Sequence, residues 1–481
     1  MVTDVVAVKV HHRSVIPALF TGLPILLVIL WGLGALTEST IPGLPVVPWV
    51  TLWALPIDLW VRNIAIALTI GFALVGGVLA PRPDSRSGRN ASLAALVWLT
   101  TLVVQAILSV SEILALPVAD SLDITIVWSL LSQTTLGRVI VTQFVVIAFV
   151  ALLAWVVLGR ATGLVVTGAA MFAAFLPGFT GHSGISHGHP AATISLGLHI
   201  IAASVWIGGL IAVFSYVQRG AADGAVVLRR FSVLALLSVI VLAETGLVNA
   251  SLRLYGLPSL ITTTYGALVL AKITVLIVLI GYGWRQRQLL ADLIDQGANG
   301  TAGFAKTTMV EVAWMGVALG LSVALVRTAP PAIPLGNEPV TVAALGLVAL
   351  AIPLALRGFA PAKKWWGSAN KLRNYPEAAA VVVVVAMLIT VSLTKAGAGN
   401  QQLLAAFVIA LLLITGSVFW DALAAQRSWL ALVIVGLGLI GVTWWNERDL
   451  IGGLGAGTLV AVLLLLGVLA LGWRTTDKVN V

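Results

Sequence analysis

The strongest constraint on this chain is a run of about 18 to 25 apolar residues that recurs along almost its whole length, broken by short polar or basic pieces. Bilayer hydrocarbon offers no water to exposed backbone N–H and C=O groups, so such runs fold as helices that satisfy their own backbone. Spans are expected at 15–36, 63–80, 91–114, 139–158, 163–180, 191–217, 231–250, 264–284, 308–326, 339–356, 375–394, 402–419, 429–446 and 453–473. Composition leaves no soluble alternative. Of 481 residues, 60% are hydrophobic and 9% charged, against about 25% charged in soluble domains. The expected fold class is all-α, a polytopic membrane helix bundle of about 14 transmembrane helices.

A net charge of +9 would suggest nucleic acid in a soluble chain, but here it sorts by loop, and no nucleic-acid partner is expected. Arg82, Arg86 and Arg89, then Arg219, Arg229 and Arg230, then Lys363, Lys364, Lys371 and Arg373 fall in alternate loops. The intervening loops are expected to hold Arg62, Arg138, Arg253, Arg327, Lys395 and Arg448, and Lys272 falls within a span. By the positive-inside rule both termini are cytoplasmic, in a multi-pass protein of a bacterial plasma membrane whose partner is the lipid bilayer. Trp49, Trp53 and Trp60 lie in a Pro-rich segment after the first span and read as anchors at the outer interface. The first span follows a basic stretch, like a signal peptide, but it is long and lacks a convincing small-residue cleavage site.

The chain has no cysteine, so a metal could be met only by His, Met, carboxylates or backbone. Four of its six histidines gather in one outer loop and the helix after it: His182, His187 and His189 in Gly181–Pro190, and His199. Imidazole binds Cu(II), Zn and Ni, and the interleaved glycines and serines let the loop fold so that its histidines converge. The alternative is a polar turn in which histidine is tolerated. His199 lies about nine residues into its span, ~13 Å below the surface, where an ionisable residue is a functional candidate by default.

Glu244 and Lys272 sit at similar depth in the next two spans. The three residues could share a polar site, or Glu244 and Lys272 could neutralise each other as a structural pair. Met171 is the best-placed soft ligand. Glu112, near an outer helix end, could draw cations inward. No Gly-rich phosphate loop with its Lys is present, so no ATPase is expected.

Five segments carry a resemblance to a known family. They are Leu130–Arg138, the Gly181–His182 turn, Leu198–Leu210, Thr262–Lys272, and Val310–Val312 with Arg327–Pro331. From about Arg62 to Pro331 the chain resembles the CopD copper-resistance family, especially members fused to a cytochrome oxidase assembly domain. The resemblance implies a copper ion handled at or across the cytoplasmic membrane, with His182 and His199 at matching positions and His187 and His189 more loosely matched. Three parts follow: 1–62, an N-terminal helix with a Pro/Trp-rich outer segment; 63–331, a CopD-like eight-helix core; and 332–481, about five further spans. Residues 339 onward contain no histidine, so no oxidase-assembly activity is carried over to them.

The leading expectation is non-enzymatic: copper bound by the outer histidine loop, passed to His199, and imported or handed to a periplasmic copper chaperone or a copper-requiring oxidase. The His199 and Lys272 segments also resemble, more distantly, membrane protoporphyrinogen oxidases of the HemJ type. That resemblance implies haem b or porphyrin chemistry, with His199 as axial ligand. A third expectation is a structural subunit of a respiratory or copper-protein complex.

Overall fold

The computed structural model describes residues 14–38, 45–156, 160–180, 189–221, 223–251, 253–254, 257–296 and 301–331. Among the described residues every regular element is helical. A 3₁₀ turn (Ile16–Thr21) leads into α1 (Gly22–Gly32). Next come α2 (Trp49–Leu74), which runs on into a π-helical turn (Val75–Leu79), α3 (Ser85–Leu114), α4 (Ile124–Gln133), α5 (Thr135–Val156) and α6 (Arg160–Phe175), closed by a 3₁₀ turn (Leu176–Phe179). Then follow α7 (His189–Gln218), α8 (Gly224–Ser251), α9 (Leu257–Thr262), α10 (Thr264–Gln296) and α11 (Thr301–Val326). Eight of these, α2, α3, α5, α6, α7, α8, α10 and α11, are long and apolar enough to cross a membrane. The expected spans from 339 onward lie outside the described residues.

Three expectations need correction. The second span does not begin at 63: α2 starts at Trp49, directly after Pro48, and carries Pro56 inside it. Pro48 stands at the N-cap, where its missing N–H costs nothing, whereas Pro56, two turns inside, forgoes the bond to the Leu52 carbonyl, a loss that transmembrane helices tolerate. The Pro-rich stretch is thus the start of a helix, and the boundary expected at 62 falls within it. Trp60 is accordingly no interface anchor. It is fully buried and meets the Phe20 ring edge-on at 5.3 Å. Arg62, expected in a loop, stands near the middle of the span Trp49–Leu79.

The described residues form two compact units. The first comprises the described parts of Met1–Arg160, Ser204–Leu236 and Thr264–Ala329, the second those of Ala161–Ala203, Leu237–Thr263 and Pro330–Val481. In the first unit α2 and α3 form a tight hairpin, α3 also packs on α5, α11 pairs with α10, and α1 and α2 lie against α11. Small residues set the closest approaches, as expected where lipid removes the hydrophobic drive and packing must hold helices together. A Cβ on Gly208 would lie 1.7 Å from the Ala67 carbonyl oxygen, and one on Gly22 1.9 Å from that of Gly316. Conversely, α5 turns Val145, Phe149, Leu152 and Trp155 outward, 48–63% exposed. An apolar outer face of that extent belongs against lipid.

One end of this unit is closed by charge. Asp84 caps α3, accepting from the Ser87 N–H at 3.2 Å and its hydroxyl at 2.6 Å. The same carboxylate pairs with Arg219, just past α7, at 2.7 Å. Burial alone would raise the Asp84 carboxyl. Hydrogen bonds from Arg219 and Ser87, with the charge of Arg219, outweigh burial and hold it below the usual range. Nearby, the buried Arg230 donates to the carbonyl of Leu79 at 2.8 Å, a group at the end of the π-helical turn.

Candidate functional site

The second unit brings together the ends of α6, α7 and α8 that carry the singled-out residues. The 3₁₀ turn after α6 lies close on α7: a Cβ on Gly178 would sit 2.6 Å from the Thr193 carbonyl oxygen. A Cβ on Gly197 would fall within 2.4 Å of two carbons of the Phe175 ring. Phe175 in turn meets Phe179 edge-on at 5.8 Å. These contacts fix the first half of α7, and with it the position of His199. Met171, one turn before Phe175, is buried at 5% exposure.

His199 meets α8. Its Nδ1 lies 3.0 Å from the Thr245 hydroxyl oxygen, and the Cα of Gly246 passes beside the ring, where a Cβ would be 3.5 Å from Cε1. The Thr245 hydroxyl hydrogen is already directed to the Val241 carbonyl at 2.6 Å. Its oxygen therefore accepts, and His199 Nδ1 is the donor. A neutral imidazole carries one N–H, so the lone pair resides on Nε2, the atom through which such a ring ligates a metal.

Beyond this pair a polar stripe continues from α8 into the turn after it. The Asn249 amide donates to the Thr245 carbonyl at 2.8 Å, and Arg253 donates to the Asn249 side-chain oxygen at 2.7 Å and to its backbone carbonyl at 3.1 Å. Glu244, next to Thr245, is 9% exposed and has no hydrogen-bond or ion-pair partner among the described residues.

The other sequence-predicted residues are placed as follows. His182 and His187 lie outside the described residues, and His189 opens α7 but its side chain is not among those described. Lys272 is on α10 in the first unit, half-buried and engaged in interactions of its own. Glu112 is paired with Arg327 at 2.5 Å, so its carboxylate is not an unoccupied cation lure. Among the described residues no group of three or more His, Asp or Glu is close enough to hold a metal ion.

Sequence reasoning missed Thr245, which fixes the imidazole. It also missed a second polar group in the first unit, formed by Asp58 and Arg62 on α2 with Gln105 on α3. Arg62 donates from Nη1 to the Gln105 side-chain oxygen at 2.5 Å. The four-residue spacing of Asp58 and Arg62 was a signal that they share a helix face, hidden by reading that stretch as a loop.

Two family models match. Copper resistance protein D-like, N-terminal domain, matches residues 50–193, and Copper resistance protein D matches residues 225–325. The first covers α2 to α6 and the histidine loop, the second most of α8 to α11, and His199 falls between them. No curated protein and no solved structure gives a significant match. The two matches follow each other in order on a cysteine-free set of membrane-crossing helices and together take in just over half of the chain, so this multi-pass membrane protein belongs to the CopD copper-resistance family.

Proposed function

We infer that the protein captures copper at the outer face of a bacterial plasma membrane and passes it into or across the bilayer. His182, His187 and His189 form the capture loop, and His199 is the intramembrane station. Copper is here the cargo and not a resident cofactor. The observation that carries the reading is the His199–Thr245 contact, which holds an intramembrane imidazole in one orientation against α8. A donor held in one orientation before the metal arrives loses little freedom when it binds. Glu244, buried and next to Thr245 in sequence, is the carboxyl on α8 from which a cation at this depth would draw its counter-charge. Met171 offers a soft thioether one turn from the ring that packs on α7.

The sequence encodes no nucleotide motif, so movement is downhill or coupled to another gradient. A periplasmic chaperone would deliver the metal, or a copper-requiring oxidase would take it. The test is copper bound per chain in the purified full-length protein, set beside cellular copper accumulation, for wild type, His199→Ala and His182→Ala. The reading expects stoichiometric copper that falls in both variants. Unchanged accumulation in both would favour a structural subunit, and a Soret band without copper would replace the metal by haem, with His199 as its axial ligand.

A further inference from the structure

The first unit holds a second buried ionisable group that plays no part in the copper site. Asp58 and Arg62 lie one turn apart on α2 and face α3, where Arg62 Nη1 is bound by the Gln105 side-chain oxygen. Asp58 is 7% exposed; its Oδ2 is buried without a hydrogen-bond partner, and so is Arg62 Nε. The two side chains thus stand near each other without being joined. Trp98, on the same face of α3 two turns from Gln105, is fully buried and also has an unpartnered N–H. A helical pair whose only task was neutralisation would close its ion pair, because an open one leaves two charges desolvated.

The other charges on the elements packed around α2 do not fill this role. On α3, Glu112 is taken by Arg327, and Arg86 and Arg89 are at the opposite end. On α11 the charged residues are Lys306 and Glu311. Ile16–Gly32 carries no ionisable group, and Ser204–Gln218 of α7 carries only Tyr216.

We propose that Asp58 is a proton-carrying site that couples copper movement to a proton gradient, with Arg62 swinging between Gln105 and Asp58 as the switch. The proposal rests on the copper reading above for its cargo. Two arrangements satisfy the chemistry. With Asp58 protonated, Arg62 is held by Gln105 and the carboxyl needs no counter-charge. With Asp58 ionised, the guanidinium turns to it and leaves the amide. Guanidinium stays charged in both, so the net change is one proton gained or lost by the carboxyl. Asp58 sits about 13 Å along α2 from Trp49 and Arg62 about 20 Å, which places the exchange inside the bilayer. Exclusion of bulk water there makes the two states discrete.

Two measurements on the full chain in lipid test this. Infrared difference spectra across a pH titration should show a protonated-carboxyl C=O band that is lost in Asp58→Asn and kept in Asp58→Glu. Gln105→Leu leaves Asp58 as the remaining partner for Arg62 and should weaken that band at a given pH, which keeps the idea testable if Asp58→Asn misfolds. In proteoliposomes, a gradient of one pH unit should raise copper accumulation about tenfold if one proton is coupled. Asp58→Asn should bring that ratio to one while copper binding stays unchanged. A wild-type protein with no titrating band, or copper uptake in Asp58→Asn that still follows the gradient, would overturn the proposal. A titrating Asp58 band with no copper movement would overturn the copper reading and leave the proton site standing.

Discussion

Replacing Gly208 by alanine should be among the most damaging single-methyl changes in the described helices, and its size follows from geometry. The added Cβ would lie 1.7 Å from the Ala67 carbonyl oxygen and 2.4 Å from its carbon, where ordinary contact begins at 3.4 Å. The obstacle is backbone, so no rotamer can yield, and α7 must withdraw from α2 by about 1.5 Å. Overpacking of this kind costs about 1–3 kcal/mol, and loss of dispersion contacts along the opened seam adds to it. About 3 kcal/mol is expected for Gly208→Ala. Gly71→Ala should cost a similar amount, since its Cβ would fall 2.0 Å from the Gly208 carbonyl carbon.

Because either change opens the same seam, the second should cost little after the first. The double variant should fall short of the sum by about 1–2 kcal/mol. The assay is reversible unfolding in mixed micelles followed by tryptophan fluorescence. Gly281→Ala on α10, where a Cβ meets nothing within 4 Å, is the control, and should be neutral or stabilising by up to about 1 kcal/mol through helix propensity. Unfolding of Gly208→Ala within about 0.5 kcal/mol of wild type, or additivity of the two glycine variants, would refute a shared backbone contact at this seam.

Thr245→Val keeps the shape of the side chain but removes the acceptor for His199 Nδ1. Loss of such a supporting group lowers metal affinity about 10- to 100-fold, to be read by copper competition titration, with Thr245→Ser close to wild type. Asp84, held below the usual carboxylate range, contributes stability above its unfolded value of ~3.9 and loses it as pH falls through its folded value. Unfolding midpoints measured against pH should show this acid-side decline in wild type and a smaller one in Asp84→Asn, which should also cost about 1–3 kcal/mol at neutral pH.

The parts of this molecule that announced themselves in sequence did so through scarcity. A histidine deep in an apolar run, or a glutamate in the next one, stands out because burial of such groups is costly, and α7 and α8 fell close to where hydropathy put them. Thr245 had no such signal: Thr69, Thr142 and Thr167 also return their hydroxyls to the carbonyl four residues back, and nothing in sequence says which one has a ring beside it. Asp58 and Arg62 were obscured for another reason. Pro48 and Pro56 looked like loop punctuation, whereas the first caps α2 and the second lies two turns inside it, so two buried ionisable residues were taken for surface. The loop holding His182 and His187 was legible as composition alone, because glycine and serine specify freedom to bend and not a particular bend.

The spacing along α8 has a directional consequence. Thr245 and Asn249 are four positions apart, and four residues overshoot a full helical turn by about 40°, while Arg253 reaches back to Asn249 from the turn after α8. Hydroxyl and carboxamide therefore climb as a spiral stair and not as a ladder. Anything descending by those steps starts on a flank of α8 and swings round it before it meets the imidazole.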